Sequence, residues 1–206
     1  IMEQTSDTII AKDFLDMDNV SLSELIQKMD VVTRTMINEG CQVFKDCNYD
    51  SINDRDKDVN RLYFLLYRAA LFNMENPTKA MKNFKLTPMD MLRSLFMGFY
   101  IEVIADEVRR TIRYARKIKG SPEMEKQIRS FLEKMRDYYV DTMKSFYKKD
   151  IELAFKISDL KMDFEKDLDK MESEVQKIEH LNKVVNQLQR LVTNIHNLGR
   201  IIYTLE

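Results

Sequence analysis

The chain has little that would break a helix and little that would do chemistry. Of 206 residues only four are Gly and three are Pro, and there is no Trp. Two His and two Cys leave few soft ligands. Cys41 and Cys47 are too few for a disulfide framework, or for a zinc site without several partners, and read as thiols of a reducing, cytoplasmic compartment. No apolar run approaches the roughly 18 residues of a membrane span, so no membrane insertion is expected. With 33 basic and 34 acidic residues, the net charge of −1 excludes a global pull toward nucleic acid or anionic lipid. No Ser–His–Asp or Cys–His set and no phosphate-cradling glycine loop is visible, so no enzyme is expected.

What is present is 44% hydrophobic and 33% charged residues, rich in Leu, Met, Lys and Glu. That composition belongs to long amphipathic helices with enough apolar area for a core. Residues 1–20 read as an N-terminal arm, with "TIIAKDF" a short extended piece. From Ser21 the pattern becomes helical: Leu22, Ile26, Met29, Val32, Met36 and Ile37 recur at helical spacing behind a Ser21–Glu24 capping box. Gly40 marks a bend or a packing contact, and "KDCNYDSIND" is a polar break.

A second helix begins in "DRDKDVNRLYFLLY", with Val59, Leu62, Leu66 and Ala70 as its inward stripe. It ends before the Pro77–Pro88 stretch. A third helix is expected from about Pro88 to Lys119, closed by Gly120, with Ser121 and Pro122 opening the next. Three more helices follow: about Glu123 to Tyr147, Asp150 to about Glu174, and Val175 or so to the end. The expected architecture is all-α: two tandem three-helix bundles, residues 21–120 and 121–206. A weak internal repeat supports it, since "RDKDVNRLYFLLY" and "FEKDLDKMESEV" share an acid-Lys-Asp-apolar-Asn/Asp-base-apolar pattern at the same place in each set.

Acidic and amide side chains four apart share a helix face: Asp56 with Asn60, Glu102 with Asp106, Glu165 with Asp169. Two carboxylates at this spacing repel by a few tenths of a kcal/mol, and a cation between them reverses the sign. Two such helices side by side would offer an oxygen-rich site for a hard metal or iron. The plainer alternative is a solvated face, since such pairs also occur at Asp137/Asp141, Asp163/Asp167 and Asp46/Asp50. The basic run Arg109, Arg110, Arg113, Arg116 and Lys117 reads as a solvated face salt-bridged to Asp106 and Glu107. Met89, Met91 and Met97 around Phe96 and Phe99 read as core filler or as a docking surface. His180 and His196 read as isolated polar residues.

The two stretches "DRDKDVNRLYFLLYRAAL" and "EVIADEVRRTIRYARKI" resemble the PhoU family, and the entry "IIAKDFLDMDNVSLSELIQKMDVVTRTMI" is similar to that of archaeal phosphate uptake regulators. Glu102-Val103-Ile104-Ala105-Asp106 matches the family's third-helix core, with Val103 where Arg is usual. The resemblance implies two three-helix bundles and metal clusters, often of iron, on their surfaces, with zinc or another divalent ion as alternatives. It implies regulation of phosphate uptake through partners, a phosphate transporter ATPase or a signalling regulator, in a homodimer without catalysis. Carried over, the metal ligands would be Asp56, Asn60, Glu102 and Asp106 in the first bundle and Glu165 and Asp169 in the second. The second set's third helix offers Gln189 and Thr193 in place of acids, so metal is expected mainly on the first bundle. Two other readings stay open: a helical scaffold or dimerisation module, and the effector half of a DNA-binding transcriptional regulator, with no nucleic acid bound by this region itself.

Overall fold

The structure is a computed structural model that describes residues 3–4, 7–10 and 16–204. The rest of the 1–20 arm lies outside the described residues. Within it, Glu3–Gln4 (β1) and Ile9–Ile10 (β2) pair antiparallel, Glu3 opposite Ile10. A single 3-10 turn at Met17–Asn19 leads into the helices.

Eight helices follow among the described residues: α1 Leu22–Gly40, α2 Tyr49–Glu75, α3 Pro77–Phe84, α4 Pro88–Ala115, α5 Pro122–Lys148, α6 Ile151–Ser158, α7 Lys161–Glu172 and α8 Leu181–Thr204. The all-α class is as expected; the count of six is corrected to eight. One addition is α3, in the segment read as punctuation. Pro77 there starts a helix, because its fixed φ suits the first turn and its missing N–H is not needed. The other is a corner at Asp159–Leu160, which divides the expected Asp150–Glu174 helix into α6 and α7. At the corner the Ser158 hydroxyl turns to α8, where it hydrogen-bonds with His196 Nδ1 at 3.1 Å and the Tyr203 hydroxyl at 3.3 Å. Residues 173–180 are turns, so the last helix begins at Leu181 rather than near Val175.

The helix ends obey side-chain chemistry. The Ser21 hydroxyl accepts from the Glu24 backbone N–H at 3.4 Å, half of the expected capping box. A complete box opens α4, where Thr87 and Asp90 exchange side-chain-to-backbone bonds around Pro88. Asn48 caps α2 and Asp150 caps α6. Gly120 carries the positive φ of 75° between α4 and α5.

Helices α1, α2 and α4 pack on one another, and α8 gathers α5, α6 and α7. The most extensive helix contact joins the two sets: α4 against α8, with α1 on α5 beside it. Helix α4 is therefore covered on several sides, with Met97, Ile101, Ile104, Ala105, Val108 and Ile112 all fully buried. One apolar cluster runs from Leu22 on α1 to Ile201 on α8. Gly40 proves to be a packing contact, since a Cβ there would stand 2.9 Å from Ile112 Cδ1 on α4. Gly98 is tighter, with Leu66 Cδ2 only 2.0 Å from where its Cβ would be; its lack of a side chain lets α2 lie close on α4.

Candidate metal centre on helices α2 and α4

Helices α2 and α4 run antiparallel. Tyr63 meets Phe99 edge-to-face, ring centroids 6.4 Å apart, and two turns further along Asp56 faces Arg109. The inward stripe Val59–Leu66–Ala70 of α2 is buried, with Leu66 against Gly98 of α4. This fixes the rotation of both helices and leaves Asp56 and Asn60 half-buried at the seam, opposite half-buried Glu102 and Asp106. The sequence spacing thus does bring the first-bundle candidates to one edge.

The cation they share is an arginine. Arg109 Nε lies 2.9 Å from Asp56 Oδ2, an ion-pair contact without hydrogen-bond alignment, while its Nη2 donates to Asp106 Oδ1. Arg110 Nη2 takes the other Asp106 oxygen at 2.6 Å. The side chains of Asp56, Asp106 and Arg109 are each only about one-fifth exposed, 19%, 22% and 18%, so this clasp is screened less than a surface pair. Glu102 has no ion-pair partner among the described residues. Burial raises its pKa above the ordinary carboxylate range, and the negative Asp106 and Asp56 push the same way. Burial also raises Asp56, against the pull of Arg109. Three carboxylates and two guanidiniums make the edge nearly neutral.

In this arrangement guanidiniums occupy the positions a metal ion would take. Both Asp106 oxygens are engaged, Arg109 stands between Asp56 and Asp106, and among the described residues no three His, Cys, Asp or Glu side chains gather to hold a metal ion. Nor does the solvated face describe this edge, since Asp56, Asp106 and Arg109 are mostly buried and Asp56 pairs with Arg109 across the two helices.

The second set repeats the placement with different chemistry. Glu165 and Asp169 on α7 line one cleft of about 390 Å³ with Gln189 and Thr193 on α8, the positions that the repeat pairs with the acids of α4. Both acids are exposed. Glu165 pairs with Lys161 at 3.4 Å, and Gln189 Nε2 donates to Glu172 at 2.9 Å. No arginine enters this cleft, and its lining carries two acids rather than three.

Two buried acids were not anticipated. Asp30 on α1 is 3% exposed, accepting from Arg34 Nε at 2.7 Å and from the Tyr147 hydroxyl of α5 at 2.9 Å. Its signal was an acid one turn after Ile26 and two turns before Ile37, on the inward stripe of α1. Glu107 on α4 is 4% exposed, with Arg110 at 3.8 Å and Arg190 of α8 at 3.9 Å; burial raises its pKa. His196 is held by Ser158, and burial lowers its pKa. Burial pushes the Cys41 thiol up to about 11, and both cysteines are free. Among the described residues no helix is long and apolar enough to cross a membrane. No protein-family model matches the chain, and no curated protein matches it.

Proposed function

We propose that the chain is a PhoU-like regulatory protein of phosphate uptake that works by binding protein partners, a phosphate transporter ATPase or a signalling regulator, and not by catalysis. The observation that supports this reading is the pairing of the two motif-bearing helices. Asp56 of the Asp-Lys-Asp-Val-Asn-Arg-Leu stretch on α2 lies opposite Asp106 of the Glu-Val-Ile-Ala-Asp stretch on α4. The corresponding pair α7–α8 sets Glu165 and Asp169 opposite Gln189 and Thr193. Two tandem three-helix units, with α6 and α7 together as one bent middle helix, are the architecture this reading requires.

In this reading a metal cation and the Arg109 guanidinium exclude one another, because each would occupy the space between Asp56 and Asp106. The ion-paired edge is then a charge-balanced surface rather than a preformed cluster site. The test is phosphate uptake in cells lacking the protein, complemented with wild type or with Asp56→Ala/Asp106→Ala. Loss of uptake control that wild type restores and the double variant does not is the expected result. Uptake that is indifferent to removing the protein overturns the proposal. Elemental analysis of protein purified without chelator addresses the cation directly. Stoichiometric metal in wild type would mean that Arg109 leaves the edge.

A further inference from the structure

Helices α2 and α4 have a second apolar stripe, on the side away from the core. On α2, Phe64, Tyr67 and Leu71 are exposed at steps of three and four, with half-buried Met74 next in line. On α4, Met89, Phe96 and Phe99 are exposed, with half-buried Leu92 and Val103 completing the steps 89, 92, 96, 99 and 103. Both stripes keep the alternating three–four spacing of a coiled-coil seam. A helix needs only one such stripe to join its own core. A second one with coiled-coil spacing is shaped for helices from outside.

The exposed area is large. With roughly 200 Å² for a fully exposed side chain of this size, six residues at 41–61% exposure leave on the order of 550 Å² uncovered. That is the upper end for a monomer's largest apolar patch, and about two-thirds of the ~800 Å² each partner contributes to a stable interface. The half-buried residues between them and a polar rim supply the remainder.

The patch also carries its own complement. Because α2 and α4 run antiparallel in the register set by Tyr63–Phe99 and Asp56–Arg109, Phe64 and Tyr67 come level with Phe99 and Phe96. Leu71 and Met74 come level with Leu92 and Met89. One end of the face is therefore rings and the other is Leu and Met. A two-fold axis lying across the helices lays the ring end of one copy over the Leu–Met end of the other. Large side chains then meet smaller flexible ones at every layer, as an isologous interface needs.

We propose that this face binds a second copy of the chain, forming a dimer through a four-helix layer made of α2 and α4 from each copy. The resemblance implies a homodimer but no interface; the assignment of this face rests on its own geometry and not on the phosphate reading. The test is light scattering coupled to gel filtration, in reducing buffer so that Cys41 and Cys47 cannot cross-link copies. Wild type at about 10 µM is expected at twice the 24.6 kDa of the chain. Phe64→Glu/Phe96→Glu is expected at the monomer mass with its helical circular dichroism intact, because both side chains are exposed. Each substitution acts twice in a two-fold dimer, so the dissociation constant should rise on the order of a thousandfold. Met89→Glu, at the other end of the face, should weaken the dimer as well. Met162→Glu, at an exposed methionine on α7 outside this face, should leave the dimer intact. A monomeric wild type overturns the proposal and leaves the face to a helical partner of another kind. A dimer that survives Phe64→Glu/Phe96→Glu, or one that Met162→Glu breaks as readily, overturns it too.

Discussion

Replacing Arg109 with Met removes the guanidinium while keeping most of the aliphatic stem that packs between α2 and α4. Two carboxylates then lose their shared cation. Each is about four-fifths buried, and Glu102 already stands beside them without an ion pair. An uncompensated, partly buried carboxylate costs about 1–3 kcal/mol, and full burial would cost more. Arg110 still holds one Asp106 oxygen, so a loss of about 3 kcal/mol is expected for the substitution. For a chain of this length that is a fall of roughly 9 °C in melting temperature.

The pH dependence tests the cause. The penalty exists only while the carboxylates are ionised. Burial already raises Asp56, and losing Arg109 raises it further. The stability gap between wild type and Arg109→Met is therefore full at neutral pH. It narrows at acid pH, as the raised Asp56 carboxyl takes up its proton. Asp56→Asn added to Arg109→Met should restore part of the loss at neutral pH, giving a coupling that a double-mutant cycle resolves. The measurement is thermal or urea unfolding of the four proteins at both pH values. A melting point for Arg109→Met within a degree of wild type at neutral pH would refute the clasp and return these acids to a solvated face.

Two further substitutions test the packing. Gly98→Val places a branched side chain where Leu66 Cδ2 would be 2.0 Å from the new Cβ. It should cost about 3 kcal/mol, read as a lower urea midpoint; an unchanged midpoint would mean that α2 and α4 do not approach so closely. Asp30→Ala strands the Arg34 guanidinium and the Tyr147 hydroxyl, both able to reach water, and should cost about 2 kcal/mol, against about 1 kcal/mol for Tyr147→Phe. Equal losses for the two would show that Arg34 draws nothing from Asp30.

The helical class was legible because Gly and Pro are so scarce that their few positions punctuate the chain. Pro77, Pro88 and Pro122 each open a helix, and Gly120 falls between two. The corner at Asp159–Leu160 was not legible, since it contains neither breaker; its polar anchor is Ser158 bonded to His196 and Tyr203, 38 and 45 residues away. The candidate edge was readable as far as periodicity reaches. Four-residue spacing puts Asp56 with Asn60 and Glu102 with Asp106, and these faces do meet. What spacing cannot supply is the rotamer of a long side chain. Arg109 was assigned to Asp106 on its own helix, and it reaches Asp56 on the neighbouring helix as well. Of the group read as core filler or as a docking surface, Met91 and Met97 are core, while Met89, Phe96 and Phe99 are exposed. A methionine run carries no mark of which members face inward until α1, α2 and α8 have taken their sides of α4.

The contact of α4 with α8 has a consequence for how the molecule comes apart. The chain changes from one set to the other at Gly120, yet the two sets pack directly on one another. Leu188, Leu191, Val192 and Ile195 of α8 lie in the same buried cluster as Ile101, Ile104 and Val108 of α4. Cutting the protein at its most obvious joint would therefore bare a full apolar helix face on each piece. Each fragment would be left with surface that water opposes and no partner to cover it. Melting should then be a single cooperative event that both sets enter together, with neither half serving as a folded remnant for the other.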